Sequence, residues 1–531
     1  MSMSGLNAMG LSLRATLCSR SGTRRSPRRA VSIDRCSANI PAPEPSACGD
    51  RSTAATPHEP CHLPPDVYES MTINKSLGVT PTEQLLAEFG ERSFLKLWTY
   101  PNPYKDDGKE LCDLIAVFGD TVFIFFDRNA GLNPASAKTP KVAWERWKRR
   151  AIDAQISTAH GAERYVRSGR QLFLDAARKK PFPLPVRGVG KVHKLIVAHG
   201  AAEACKAASP ENIAGSLGIA YTDTPPNEPW PFFLFLPRTS PVHVLDSHNL
   251  PIILGELDTV TDLSVYLTAK EQEIERLELV CYCGEEDYLA RYLAASDPGA
   301  EEMVNRYIEP SLKGFNMREG LWAEFSNSKT YEATAEANRM SYGWDNLIEG
   351  ACRDFLSGAA ITNADLHRGP NPIFEMVKEP RHARRGMWSQ ILRAIEAFPP
   401  PGSGFQRMVT SVPRMDDDSA YVFLQLGPTP EFLALPDWQE KRRFLLELAC
   451  GAAKLRMPNL KQVIGIGIEH PNYPHSSFGI HFSLLPCDSL TPKELAKIEQ
   501  QNAIFNFFQT DSMISFESVT PHLMTAEHRV E

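Results

Sequence analysis

Residues 111–118 and 121–126 are two apolar runs of strand length, separated only by Gly119-Asp120. β-branched and aromatic segments joined by a two-residue glycine turn predict a β-hairpin. Both runs are apolar nearly throughout, so the hairpin is expected to be covered on both faces within an α/β layer. Upstream, Thr80-Pro-Thr-Glu83 predicts a helix start, with a hydroxyl cap, proline in the first turn and an acid three residues on. Leu85, Leu86, Phe89, Phe94 and Leu95 give that helix, 80–97, its apolar face. Downstream, 138–150 predicts a basic helix with Trp144 and Trp147 on one side, continuing through Gln155 and Glu163.

Beyond residue 185 the pattern predicts strands over 192–199, 232–236, 242–245, 251–257 and 277–283. A helix is expected to open at Asp258-Thr-Val-Thr-Asp262 and run to about Leu277. Residues 285–398 read as helical. The last module reads as strand 421–426, helix 438–454, strands 462–469 and 478–485, then helix 492–508. The expected fold class is therefore mixed α/β and multidomain. A leader spans 1–70, an N-terminal α/β module 71–180, a mixed to helical middle region 186–398, and a small α+β module 405–531. Proline-rich stretches at 181–185 and 399–404 mark the linkers.

Composition narrows the class. The 531 residues are 42% apolar and 23% charged, ordinary for a globular chain, and a formal charge of −7 excludes an all-over basic surface. No apolar run reaches the roughly 18–20 residues of a membrane helix, so no membrane partner is expected. Eleven irregularly spaced cysteines point to a reducing, cytoplasmic setting rather than a disulfide framework. Residues 1–70 contain eight arginines and no lysine, with no periodic apolar pattern. Two readings fit this segment: an organelle transit peptide, or translated leader ahead of a start at Met71.

Candidate chemistry gathers at the hairpin's open end. Glu110 and Asp113 enter its first strand, and Asp127-Arg128 closes its second. This arrangement resembles the PD-(D/E)xK nucleases, in particular the nuclease-related (NERD-like) branch, over about residues 80–167. In that family a helix carrying a Glu precedes a strand with a metal-binding Asp, and the hairpin partner ends in Glu-x-Lys. The resemblance implies metal-dependent cleavage of DNA or RNA, with bacterial defence as the expected setting. It makes Glu91, Asp113 and Asp127 the ligands of Mg²⁺ or Mn²⁺, with Glu110 beside them. Arg128 stands where the Lys belongs and Phe126 where the acid belongs; Asp127 reaches the Asp113 face only through a bulge. Gln155 and Glu163, on the next helix, are the places for a migrated ligand. Lys141, Arg146, Lys148, Arg149 and Arg150 are expected to grip a phosphate backbone. The alternative is an inactive nuclease-like fold that binds nucleic acid or serves as a scaffold. Long helical stretches without a catalytic motif leave room for a protein partner.

Elsewhere the motifs are weaker. Cys281 and Cys283 are expected to be buried thiols, and His243 a hydrogen-bonded core histidine. Arg381-His-Ala-Arg-Arg385 is read as a solvated or anion-binding basic cluster. Glu469, His470, His475 and His481 are weighed as a metal site against surface and turn residues. His58, Cys61 and His62 are noted as potential ligands in the leader.

Overall fold

A computed structural model describes residues 30–36, 76–94, 97–133, 139–184, 188–208, 215–227, 230–295, 312–356, 371–402, 404–414, 418–471, 479–508 and 513–517, together with Val186 and Tyr473. Met71, His58, Cys61, His62, Lys138 and His475 lie outside the described residues.

The chain is a multidomain mixed α/β protein. Its N-terminal sheet is organised around the expected hairpin. Helix α1 (Pro81–Phe94) is followed by β1 (Thr99–Pro101), β2 (Leu114–Phe118) and β3 (Thr121–Asn129). Thr80 Oγ1 accepts the Glu83 N–H at 3.2 Å, as the cap predicts, while the Glu83 carboxylate accepts the Val79 N–H at 2.8 Å. Gly119 takes φ +61 at the hairpin turn, a conformation that glycine adopts without strain. Helices Pro140–Lys148 and α2 (Ala154–Arg167), joined by a π-helical turn at Arg149–Asp153, cross over to β4 (Lys191–His199). β5 (His243–Leu245) closes the sheet.

The sheet order is β5-β4-β3-β2-β1, antiparallel from β1 to β3 and parallel from β3 to β5. It therefore runs past residue 180 and takes two strands from the middle region. Nor is 181–185 a free spacer along its whole length, since the Phe182 N–H bonds to the Leu172 carbonyl and its ring packs on Tyr100. One apolar core joins α1, this sheet and the helices of the middle region, and β2 and β3 are buried as near-continuous apolar strands.

A second sheet orders Gly314–Asn316, Leu279–Cys283, Gly218–Tyr221 and Phe233–Leu236. Of residues 251–257, expected as a strand, all but Leu257 are instead in the helix Asn249–Glu256. Here a short apolar run fits both periods, and Asp246 decides it: its carboxylate accepts the His248 and Asn249 N–H groups at 2.8 and 2.9 Å and starts the helix. The next helix, α3 (Val260–Arg276), starts on Thr259 as expected. The C-terminal sheet orders Ile480–Pro486, Gln462–Glu469, Ser419–Gly427, Gln406–Pro413, Ala30–Cys36 and Met513–Glu517. Strand Ala30–Cys36 comes from the segment read as leader; it pairs antiparallel with Gln406–Pro413.

Candidate functional site

The acidic rim lies where the loop after β1 meets the start of β2 and the end of β3. Asp113 is 8% exposed, and its Oδ2 accepts the Asp127 N–H at 2.6 Å, which pins the two strand ends together. Asn102 organises the other acids. Its Nδ2 donates to Glu110 Oε1 at 2.6 Å and to Glu83 Oε2 at 3.3 Å, and its Oδ1 accepts from Ser76 at 3.0 Å. Asn102 holds φ at +49, an unusual conformation outside glycine that asparagine tolerates better than most residues. Burial pushes the Asp113 carboxyl up to about 7; the Asp127 N–H and Arg128 oppose this, and Glu110 and Glu83 add to it. A desolvated carboxyl, with the Arg128 charge partly offsetting those of Glu110 and Glu83, is the electrostatic character of this rim.

Three expectations need correction. Glu83, at the first turn of α1, is the helix acid brought to the rim. Glu91 sits two turns further on, about 12 Å along the axis at 1.5 Å per residue, where its charge acts on the Tyr100 hydroxyl. Asp127 does not join Asp113 as a ligand: its Oδ1 lies 2.6 Å from His199 Nε2, and no bulge turns it around, because β3 keeps unbroken register with β4. Glu163 is committed to Lys194 at 2.6 Å and Arg167 at 2.9 Å. Gln155, by contrast, is buried at 5% exposure and its Oε1 accepts no hydrogen bond. Phe126 is buried, and Arg128 is exposed at the strand end.

The basic helix packs beside the same strand end. Trp144 and Trp147 are fully buried and stacked at 5.3 Å, and Trp147 Nε1 donates to the Ala130 carbonyl, just past β3. Lys141, Arg146, Arg149 and Arg150 are exposed on the outer side. Lys148 is half-buried and spends its charge on Asp153 at 2.9 Å. The tryptophans anchor the element, and four of the five cations remain presented to solvent.

Among the described residues, the grouping that places three metal-ligating atoms within 4.8 Å of one another is His193, His243 and Glu271, which no spacing along the chain connects. His193 Nδ1 and His243 Nε2 lie 2.9 and 3.0 Å from one Glu271 oxygen. Burial works against this carboxylate, but the two hydrogen bonds outweigh it and hold it down at about 2. This bears out His243 as a hydrogen-bonded core residue. Its partner is 28 positions away on α3, beyond the reach of local motif reading.

The remaining candidates resolve structurally. Cys281 and Cys283 are buried free thiols. Arg381, Arg384 and Arg385 are buried rather than solvated: Arg381 pairs with Asp258 at 2.8 Å and Asp345 at 2.5 Å, and Arg384 pairs with Asp345. Glu469 bonds Trp438 and Arg442, His470 stacks on Phe398, and His481 meets Gln439, so these three spend their polar atoms on other partners and are not grouped as metal ligands. No helix among the described residues is long and apolar enough to cross a membrane. Compared with protein-family models, curated proteins and solved structures, the chain finds no match.

Proposed function

We propose that the chain is a metal-dependent phosphodiesterase acting on DNA or RNA, with its centre at Asp113. The observation that carries this reading is the buried Asp113 carboxyl at the hairpin mouth, surrounded by Glu110 and Glu83 and flanked by Arg128. The helix–strand–hairpin–helix order around it, with Gln155 on the following helix, also agrees with the nuclease resemblance.

The donor set suits a hard divalent cation. Mg²⁺ takes oxygen ligands, keeps several waters and is commonly held by one or two carboxylates. Asp113 and Glu110 would hold it, with Glu83 completing the acidic surround and Asn102 fixing both glutamates. Bound there, Mg²⁺ or Mn²⁺ would supply an acidified water and charge stabilisation at the leaving oxygen. The imidazole–carboxylate group at Glu271 fits softer metals better, and both of its histidines are fully buried, out of reach of a phosphodiester.

Arg128, charged at any accessible pH, contacts a phosphate and neutralises charge developing there; it does not act as a base. Lys141, Arg146, Arg149 and Arg150 hold neighbouring phosphates without reading sequence. Incubating the chain with plasmid, linear duplex and single-stranded substrates, with Mg²⁺, Mn²⁺ or EDTA, tests the reading. Metal-dependent cleavage that disappears in Asp113→Ala supports it. Binding without cleavage, indifferent to EDTA and to the substitution, indicates the scaffold alternative that Phe126 favours.

A further inference from the structure

The three parallel strands β3, β4 and β5 end side by side, and their C-terminal ends carry Asp127, His199 and Ser247. The carboxyl ends of parallel strands are where open α/β sheets place their ligands. His199 Nε2 lies 2.6 Å from Asp127 Oδ1, and His199 Nδ1 lies 2.6 Å from Ser247 Oγ. Asp127 and His199 are buried, whereas Ser247 is exposed. We propose that Asp127, His199 and Ser247 form a second catalytic centre, a serine-nucleophile relay whose substrates are carboxylic esters.

Hydrogen-bond roles set the proton's path. An ionised carboxylate only accepts, so Nε2 carries the imidazole proton and donates it to Asp127. That leaves the Nδ1 lone pair facing the Ser247 hydroxyl, the protonation state a general base requires. Asp127 orients the ring, and its own backbone is fixed by the Asp113 bond. The turn that carries Ser247 is also fixed. Ser247 sits there between β5 and the helix Asn249–Glu256, a strand-to-helix position that presents a nucleophile outward. Asp246 and Asn249 bond each other's backbone across that turn, with the Asp246 N–H donating to Asn249 Oδ1 at 2.7 Å.

In the reaction, Ser247 Oγ bonds to the ester carbonyl carbon as its proton passes to His199 Nδ1. The acyl C–O bond breaks and the alcohol departs with that proton. Water then adds to the acyl-serine by the same route, releasing the acid and restoring the serine. The His248 and Asn249 N–H groups are committed to Asp246 and do not stabilise the oxyanion. Loss of one such donor costs roughly 100- to 1,000-fold in rate. Turnover is therefore expected to be slow, which makes covalent capture the better readout. The relay does not depend on a metal at Asp113.

The test uses the full chain and a desthiobiotin fluorophosphonate, which forms an Oγ–P bond to serine and expels fluoride. Modified sites are identified by peptide mass spectrometry in wild type, Ser247→Ala and His199→Gln, with and without EDTA, and in urea-unfolded wild type. The proposal expects one label per chain, at Ser247, in the native state alone and unaffected by EDTA. It expects labelling to be absent in Ser247→Ala and slower by ~100-fold or more in His199→Gln. Native Ser247 left unlabelled, or labelled no faster than in urea, overturns it whether or not the histidine variant folds. Equal rates in wild type and folded His199→Gln also overturn it.

Discussion

At the scale of single residues, the acidic rim depends on a side chain that is neither acid nor base. Asn102 accepts left-handed backbone geometry and spends its amide on Glu83 and Glu110. Asn102→Gly keeps that backbone accessible while deleting the amide. It is expected to weaken Mn²⁺ binding, measured by titration calorimetry, by ~10- to 100-fold, the usual effect of removing a group that orients metal ligands. Asp113 supplies a second prediction. Its native carboxyl titrates near 7 against 3.8 for the unperturbed group, so between those values the folded chain holds a proton the unfolded chain has released. Stability therefore falls as pH rises from about 4 to about 7, by up to about 4 kcal/mol at 1.36 kcal/mol per pH unit. Glu286, raised to about 8 by burial and by Asp246, adds a parallel slope reaching higher pH. Urea unfolding across pH 4–9 is expected to show each slope reduced separately in Asp113→Asn and Glu286→Gln. On the proposed reading, metal affinity is expected to run the opposite way in the same window, rising with pH as Asp113 ionises.

At the scale of elements, the basic helix divides its duties between a buried tryptophan pair and an exposed row of cations. Arg146→Glu combined with Arg149→Glu is expected to leave the unfolding midpoint nearly unchanged. It is also expected to weaken nucleic-acid binding and make the log K against log salt slope shallower, by roughly 0.9 for each phosphate no longer neutralised. Filter binding between 50 and 200 mM salt reads both, and an unchanged slope would remove this helix from the interface. The hairpin, the capped starts of α1 and α3 and strand Gln462–Glu469 were legible in the sequence because local signals agree with the tertiary outcome. Strand Gly218–Tyr221 escaped because small residues, Gly218 and Ala220, alternate with its two large apolar ones, so no apolar run stands out. Gln406–Pro413, with arginine, threonine and serine buried in it, does not look like a covered strand. The rim was legible as a cluster of acids, but not which helix acid belongs to it: Glu83 and Glu91 differ by where α1 points, and no local pattern sets that. His199 and Ser247 were not legible at all as partners of Asp127, being brought to it by parallel strand order across 72 and 120 positions.

At the scale of the whole molecule, the sheet that carries the acidic rim is not a detachable N-terminal piece. Its parallel half, β4 and β5, comes from beyond residue 190, and its core continues into the helices that hold Arg381 and Arg384. Asp345→Ala leaves both arginines short of a buried partner and is expected to cost about 3–5 kcal/mol in urea unfolding. A fragment ending at residue 180 exposes the apolar edge of β3 and is expected not to fold. Function must therefore be assayed on the intact chain, and the decisive assay is plasmid cleavage by wild type and Asp113→Ala in Mg²⁺ and in EDTA. Wild type is expected to nick or linearise the plasmid only with the metal, and to do neither once the carboxylate is removed. Cleavage that survives Asp113→Ala, or a folded wild type that cuts none of the nucleic-acid substrates with either metal, would contradict a metal-dependent centre at Asp113.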